Sequence, residues 1–362
     1  MACVVPILDP PASEQRVVLL GMERPVLRRF LAELGQPAYR ADQIARWIYQ
    51  RGAHDFAAMT DLPLSLRERL AERAAVRPGA VVAEARSRDG TVKLLLECGD
   101  AQRIEAVMLP YEERTSVCVS SQVGCPVGCT FCATATLGFA RNLTAGEMAH
   151  QVLAAEEIAP PRAGDRRVTH VVIMGMGEPL LNVSEVGRFI RLLRDELGIS
   201  PRRVTVSTAG YVPGMRDLAA LGVPVTLAVS LHATEDALRE SLIPLNHRYP
   251  LAEVMAAARD FFEQTGRRVT LEYLLLGGVN DTDRDARRLA TLAGPATRHV
   301  NLIPWNPAET LSPFAPPTAE RVRAFRAALE QRGVTVTQRM ERGQDIDAAC
   351  GQLALKNREG GA

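Results

Sequence analysis

Hydrophobic and polar positions follow two different periods through most of the chain. From residue 111 onward, short apolar runs typical of buried strands are separated by segments in which apolar residues recur every three or four positions, as on one face of a helix. The strand-like runs are TSVCVSSQ, VTHVVIMG, RRVTVSTAG, VPVTLAVSLHA, RRVTLEYLLLGG and HVNLIPWN. Their regular alternation with helices predicts a parallel sheet with right-handed crossovers. Six such units are too few for an eight-fold barrel and favour an α/β partial (βα)6 barrel, with a doubly wound open sheet as the alternative.

The helical segments of this region begin on recognisable signals. TAGEMAHQVLAAEEIA opens with Thr144 and Glu147 at the spacing of a capping box, in which each side chain accepts a hydrogen bond from the other residue's backbone amide. The other helical segments are VSEVGRFIRLLRDELG, LAEVMAAARDFFEQTG and DARRLATLAG. A last helix, TAERVRAFRAALEQRG, and a strand, VTVTQRM, precede a polar tail.

Different patterns precede the strand–helix region. The first part of the chain contains helical segments that end on Gly35 and Gly52, and predicts a helical accessory domain that either docks RNA or only packs as a cap. Three alternating segments, AVVAEARS, TVKLLLEC and RIEAVMLP, then predict a small antiparallel meander. The predicted domains are 1–78 (helical accessory), 79–110 (small β extension), 111–342 (partial barrel) and 343–362 (tail).

Length, composition and charge favour a globular protein with a large core and give no sign of a membrane protein. With 362 residues and 47% hydrophobic content the chain can bury a large core. No apolar run is long enough to span a bilayer, and the start of the sequence lacks the features of a signal peptide, so we expect a cytoplasmic protein. A net charge of +1 points to no particular partner. Nearly all the cations are arginine, which suits RNA contacts but also reflects Ala- and Arg-rich coding bias.

Seven cysteines in such a protein indicate metal ligands, redox groups or buried thiols rather than a disulfide framework. Cys125, Cys129 and Cys132 stand in the spacing C-x3-C-x2-C, directly after the first strand of the barrel pattern. A structural zinc site needs four ligands, and no second Cys or His pair completes this one. A [4Fe-4S] cluster held by three thiolates leaves one iron open to a small molecule. Cys3 and Cys98 match no motif.

The cysteine loop resembles that of the radical-SAM superfamily, which shares this spacing and has an aromatic residue, here Phe131, before the last cysteine. The resemblance implies that Cys125, Cys129 and Cys132 bind one [4Fe-4S] cluster. It also implies that the open iron binds the amino and carboxylate groups of S-adenosylmethionine, whose reductive cleavage yields a 5′-deoxyadenosyl radical.

The same resemblance suggests further cofactor contacts. The strand and turn VVIMGMGEPLLN stand where the superfamily has a GGEP-like segment, which implies that Gly177 and Glu178 hold the methionine amino group. Polar residues at other strand ends join them because a barrel places its ligand groups there. These candidate cofactor contacts are Ser207, Ser230, Leu231, His232 and Asn306. Each taken alone is typical of a turn or capping residue.

Nearly the whole chain is similar to the family of dual-specificity adenine-C2 methyltransferases of 23S ribosomal RNA and transfer RNA. The matching segments include YRADQIARWIYQRG, SVCVSSQVGCPVGCTFCATATLGFARNLT, GMGEPLLN, SLHAT, HVNLIPWNP and RGQDIDAACGQL. The resemblance implies a cytoplasmic, monomeric enzyme that uses two S-adenosylmethionine molecules per turnover. The implied partners are 23S rRNA, tRNA and a reducing electron donor such as flavodoxin.

Three further residues receive roles from this resemblance. C2 of adenine is electron-poor, so its methyl group has to arrive as a radical. In the family a tail cysteine, here Cys350, is methylated first, and its methyl radical then adds to C2 and joins protein to RNA. The thiolate of Cys118 completes release and can end as a disulfide with Cys350. Glu105 matches the family's proton acceptor, although a solvent-facing strand glutamate is an equal alternative.

Two other functions compete with this one. A sister group methylates C8 of the same adenosine, but it typically has Ala after GMGE and lacks the PWNP tryptophan, whereas this chain has Pro179 and Trp305. A non-enzymatic RNA-binding protein with a structural metal site would leave Cys118 and Cys350 without a role.

Overall fold

The computed structural model describes residues 16–161, 166–294, 297, 299–305, 314–338, 342–349, 351–353 and 355. The chain forms two compact units, Met1–Arg77 and Pro78–Ala362. In the described residues, no helix is both long and apolar enough to cross a membrane.

The first unit is built on the predicted helical segments. Its elements are α1 Arg24–Glu33, α2 Tyr39–Ala45, a π-helical continuation Arg46–Gln50, and α3 Leu64–Arg73, with two short parallel strands, β1 Val17–Val18 and β2 Ala74–Ala75. Leu27 and Leu31 of α1 are buried, as the helical period requires. The two-residue strands were not predicted because so short a segment carries no alternation.

The second unit contains one large sheet. Its strands in chain order are β3 Gly79–Arg86, β4 Val92–Cys98, β5 Arg103–Pro110, β6 Thr115–Cys118, β9 His170–Ile173, β10 Val204–Thr208, β11 Thr226–Ser230, β12 Val269–Leu275, β13 His299–Pro304 and β14 Thr335–Gln338. A separate hairpin joins β7 Gln122–Gly124 to β8 Phe139–Asn142. The spatial order of the parallel strands is β6-β9-β10-β11-β12-β13-β14, which is also their order in the sequence. A doubly wound sheet reverses its strand order, so that alternative is excluded.

Helices connect the parallel strands. They are α4 Ala145–Ile158, α5 Val183–Asp195, α6 Val212–Ala220, α7 Asp236–Leu242, α8 Leu251–Thr265, α9 Asp283–Leu292 and α10 Ala319–Glu330. The predicted capping box is present, because Thr144 and Glu147 each accept the other's backbone amide. Helices α6 and α7 were missed by the sequence analysis; α6 carries Pro213 and Gly214 in its first turn, and α7 has only 7 residues.

The antiparallel meander continues the parallel sheet without a break. Strand β5 pairs with β6, with Val107 opposite Cys118. Side chains two apart on a strand share a face, so Glu105, Val107 and Leu109 project to the same side of β5. The parallel strands all end at one edge of the sheet, and this edge carries most of the predicted site residues.

Candidate functional site

A cavity at the carboxyl ends of the parallel strands brings together most of the predicted site residues. Those that line it are Cys118, Cys125, Cys129, Cys132, Gly177, Glu178, Ser207, Ser230 and His232. Leu231 is fully buried beside them. Asn306 and Cys350 lie outside the described residues. The tail contributes Ala348, Ala349, Gly351 and Leu353 to the cavity lining, so the described neighbours of Cys350 on both sides face the cavity.

The hairpin of β7 and β8 shapes the cysteine loop. Gly124 has φ +73°, and the amide of Cys125 donates to the carbonyl of Gly138 at 2.8 Å. A Cβ at position 124 would collide with the Gly138 carbonyl, so glycine is required there. The loop packs against an apolar cluster that includes Val127 and Trp305.

The loop's thiols are held in a medium that disfavours their ionised form. Burial raises the pKa of Cys125 to about 12 and the pKa of Cys129 well above its ordinary value, and neighbouring cysteines add to both shifts. A positively charged metal group would compensate the thiolates. Among the described residues, no three His, Cys, Asp or Glu side chains surround one position as ligands of a single ion would. Three thiolates from one short loop are the ligand set with which a [4Fe-4S] cluster is held through three of its irons, so the donor chemistry of the loop fits this group.

The glycine-rich turn after β9 presses against the segment that precedes the cysteine loop. A Cβ at Gly175 would lie 2.7 Å from the Ser120 hydroxyl oxygen, and Gly177, with φ +103°, would meet Gln122 at 2.6 Å. Gln122 in turn accepts the amide of Glu178 at 2.8 Å. The two glycines therefore permit the close approach that places Glu178 beside the cysteines.

Glu178 is a buried carboxyl at the floor of the cavity. Its oxygens accept hydrogen bonds from the amides of Ala209, at 2.7 Å, and Leu180, at 3.1 Å. Burial raises the pKa of Glu178 to about 7, while the hydrogen bonds from Ala209, Leu180 and Thr208 oppose the rise. A cationic ligand in the cavity would favour the ionised form.

His232 links the cysteine loop to the end of β11. It has a left-handed φ of +56°, its ring lies edge-on to Phe131 with centroids 4.9 Å apart, and its Nδ1 accepts the Leu274 amide at 3.0 Å. Because Nδ1 accepts, the proton of the neutral ring sits on Nε2. Burial, followed by the nearby charge of Arg239, lowers the pKa of His232 to about 3, so the ring is neutral.

Arg239 was missed by the sequence analysis, and it ties the strand ends together. Its fully buried guanidinium donates to the carbonyls of Ala209, Ser230 and Leu231 at 2.7, 3.0 and 3.1 Å, and to the Asn246 amide oxygen at 2.8 Å. Burial lowers its pKa to about 10. An arginine in the short helical segment that follows SLHAT carries no spacing signal that would have revealed this contact.

Glu105 is buried rather than solvent-facing, which overturns the alternative raised from the sequence. Its carboxylate pairs with Lys93 at 3.0 Å, and it does not line the cavity. Glu272 was not predicted but does line the cavity, and it accepts the Asn301 side-chain amide at 2.7 Å. A carboxylate inside a strand-like run, as Glu272 is in RRVTLEYLLLGG, was the available signal for it.

The tail is joined to the cysteine loop by backbone contacts. The Ala133 amide donates to the Gly351 carbonyl at 2.7 Å, and the Thr134 hydroxyl donates to the Leu353 carbonyl at 2.8 Å. Cys118, buried at the end of β6, lines the same cavity.

Comparison with known proteins identifies first the class and then the family. Residues 119–290 match the model of the Radical SAM superfamily, and residues 17–76 match that of the ribosomal RNA large subunit methyltransferase N-terminal domain. The crystal structure of a radical SAM methyltransferase from Sphaerobacter thermophilus is 49% identical, with a TM-score of 0.89, over 93% of this chain and 99% of that one. The fold is therefore that of a radical-SAM protein, as predicted.

Full-length relatives define the family more narrowly. "Dual-specificity RNA methyltransferase RlmN" of Anaeromyxobacter sp. is 46% identical over 97% of this chain and 94% of that protein. "Probable dual-specificity RNA methyltransferase RlmN" of Symbiobacterium thermophilum is 47% identical over 96% of this chain and 94% of that protein. The chain belongs to the RlmN family of dual-specificity RNA methyltransferases, and the predicted family is confirmed.

The raised pKa of Glu178 predicts that the contribution of this carboxyl to the stability of the cofactor-free protein falls as the pH rises from about 4.5 to about 7, whereas the lowered pKa of His232 makes the contribution of that ring rise up to about pH 6.5. Below this window the carboxyl is neutral in both the folded and the unfolded state. Within the window the unfolded chain ionises first at this carboxyl, so the Glu178 contribution to the free energy of unfolding falls by about 3 kcal/mol, at about 1.4 kcal/mol per pKa unit. Anaerobic urea titrations of the wild type and of Glu178→Gln at several pH values measure this contribution as the difference between the two proteins.

Glu178→Gln keeps the shape of the side chain and cannot ionise, so it should lose this part of the pH dependence. Glu263→Gln, at an exposed position of α8, is the matched control and should retain it. Equal pH profiles for wild type and Glu178→Gln would contradict the assignment.

Proposed function

We propose that the chain methylates C2 of an adenosine in 23S rRNA and of an adenosine beside the anticodon of certain tRNAs. The observation that carries the proposal is a shared cavity: the three loop cysteines, Cys118 and the described neighbours of Cys350 all line it. A route that passes a methyl group through one cysteine and releases the product with another needs this arrangement.

The cofactors proposed for this cavity are one [4Fe-4S] cluster on Cys125, Cys129 and Cys132, and S-adenosylmethionine beside it. When bound, they supply the one-electron chemistry that an electron-poor carbon such as adenine C2 requires. Two S-adenosylmethionine molecules serve each turnover, one as methyl donor and one as radical source. The proposed contacts for this cofactor are Gly177, Glu178, Ser207, Ser230, Leu231, His232 and Asn306.

The residues that line the cavity support this assignment through their chemistry. Glu178 offers a carboxylate to an ammonium group, and the match strengthens as the carboxyl ionises. His232, neutral at Nδ1 because it accepts the Leu274 amide, presents an Nε2 proton as a hydrogen-bond donor. Ser207 and Ser230, at adjoining strand ends, supply hydroxyl groups suited to a ribose or a carboxylate.

The two further cysteines have separate proposed roles. Cys350 accepts the first methyl group and later carries it to C2. Cys118 then attacks the sulfur of Cys350 and breaks its link to the methylated adenine, which leaves a disulfide that a reductant reopens. Glu105 as the acceptor of the C2 proton, a reducing donor such as flavodoxin, and a monomeric state stay predictions.

The competing functions receive less support. Trp305, which the C8-methylating sister group lacks in its motif, packs edge-on against Phe314 within the apolar cluster beneath the cysteine loop. Pro179 begins the short helical turn after Glu178. An RNA-binding protein with a structural metal site would not need a cavity that joins Cys118 to the tail.

Nucleoside analysis tests the proposed product. RNA from a strain that lacks this protein should lose 2-methyladenosine from 23S rRNA and tRNA, and expression of the wild-type chain should restore it. The measurement is mass spectrometry of digested RNA. Restoration of 8-methyladenosine instead would identify the sister activity, and no change in either nucleoside would reject the proposal.

The roles of the two further cysteines predict different failures for their alanine variants. Cys350→Ala has no sulfur to accept the first methyl group and should never become linked to RNA. Cys118→Ala should still be methylated at Cys350 and still add to adenine, but it cannot complete release. It should accumulate a ribonuclease-sensitive protein–RNA adduct on denaturing gels. Cys98→Ala, which removes a buried thiol outside the cavity lining, is the control. Full turnover by either test variant would refute the scheme.

The first unit is proposed to dock the folded RNA. Arg28, Arg29 and Arg46 are exposed on its helices, although Arg28 is partly neutralised by Asp42 at 3.5 Å. Charge reversal at all three positions should weaken RNA binding about tenfold or more and make its salt dependence shallower, because fewer phosphate contacts release fewer counterions. Filter binding at several salt concentrations measures both effects.

The matched control reverses Arg323, Arg326 and Arg332, three exposed arginines of α10 and its end. It changes the net charge by the same amount and should leave RNA affinity near the wild-type value. Equal losses in the two triple variants would show that only overall charge matters and would reduce the first unit to a packing cap.

A further inference from the structure

A buried ion pair lies on the two central strands of the antiparallel extension. Lys93 of β4 and Glu105 of β5 are 3.0 Å apart, and their side chains are only 9% and 1% exposed. Two charges withdrawn from water cost several kcal/mol unless their remaining hydrogen-bonding capacity is used. The other hydrogen-bond partners of Lys93 and Glu105 therefore indicate the role of the ion pair.

Both members of the pair bind the backbone of the tail. Lys93 donates from Nζ to the carbonyl of Asp347 at 3.3 Å, and Glu105 accepts the amide of Leu355 through Oε2 at 3.2 Å. Asp347 and Leu355 lie on opposite sides of Cys350 in the sequence. One ion pair thus holds the tail both before and after the cysteine that the proposed reaction methylates.

The tail has a second, separate attachment nearer its beginning. Asp89 accepts the Gly343 amide at 3.0 Å, and Arg342 donates to the Pro110 carbonyl at 2.7 Å. These contacts precede the ion pair along the tail and do not involve it. Loss of the ion pair should therefore loosen the tail at Asp347 and Leu355, while the start of the tail stays in place and Gly351 and Leu353 keep their hydrogen bonds to Ala133 and Thr134.

We propose that Lys93 and Glu105 are positioning residues that clamp the tail so that its residues on both sides of Cys350 line the cavity. The proposal rests on the proposed function, because it takes Cys350 as the methyl acceptor. It gives Glu105 a role before RNA binds. A carboxylate that acts only as proton acceptor would be needed after the methyl group has joined adenine.

The test measures methylation of Cys350 without RNA. Protein incubated anaerobically with S-adenosylmethionine is digested, and the S-methylated share of the tail peptide is followed over time by mass spectrometry. Lys93→Met should lower the initial rate about tenfold or more, since a misplaced reacting group costs up to about 100-fold. Lys93→Arg keeps the charge and the donor and should recover most of the rate.

A double variant guards against simple loss of folding. Lys93→Met alone leaves Glu105 buried and unpaired, which destabilises the sheet, whereas Lys93→Met with Glu105→Leu leaves no lone charge. The double variant should fold and still methylate Cys350 slowly. Arg103→Met is the matched control, because Arg103 pairs with Glu97 at 3.0 Å on the same two strands but is 44% exposed.

Glu105→Gln separates the clamp from a proton acceptor. The clamp predicts slow methylation of Cys350 in this variant, together with faster hydrogen exchange in the tail peptide that contains Leu355. A proton acceptor alone predicts normal methylation and tail exchange, followed by a trapped RNA adduct. Normal methylation in Lys93→Met or in the double variant would overturn the clamp. Absence of Cys350 methylation in the wild type would instead reject the proposed function on which the clamp rests.

Discussion

The site depends on one buried cation that organises backbone at the strand ends. Arg239 donates to carbonyls that follow β10 and close β11, and a guanidinium at this depth is tolerated only because its donors meet acceptors. Because the Arg239 guanidinium donates to carbonyls on both strands, it holds the end of β10 at a fixed distance from the end of β11, where Ser230 and His232 lie. Side chains at strand ends need such support, because the regular ladder of hydrogen bonds stops there.

Burial is the second theme that connects the residues of the cavity. It raises the pKa values of Cys125 and Glu178 and lowers that of His232, so each of the three is driven toward its neutral form. These neutral groups can bind charged ligands, because a cationic ligand would favour ionisation of a neighbouring carboxyl or thiol group.

The sequence predicted the elements that carry periodic signals and missed those held by particular contacts. The strand–helix alternation, the capping box at Thr144 and the cysteine spacing all reflect local chemistry, and each is found in the structure. Arg239, Glu272 and the Lys93–Glu105 pair escaped, because their contacts depend on how strands and helices come together in the fold and their spacing resembles that of ordinary polar residues. The continuity of β5 with β6 escaped for a related reason, since pairing between neighbouring segments depends on register rather than on composition.

The contacts of the tail join residues that are very distant along the chain, with Lys93 and Asp347 separated by 254 positions. The cysteine loop, by contrast, is closed by a hairpin whose strands are neighbours in the sequence. Contacts between distant segments form late because more chain has to be ordered first. The contacts of the tail with β4 and β5 are therefore expected to form later in folding than the hairpin that closes the cysteine loop.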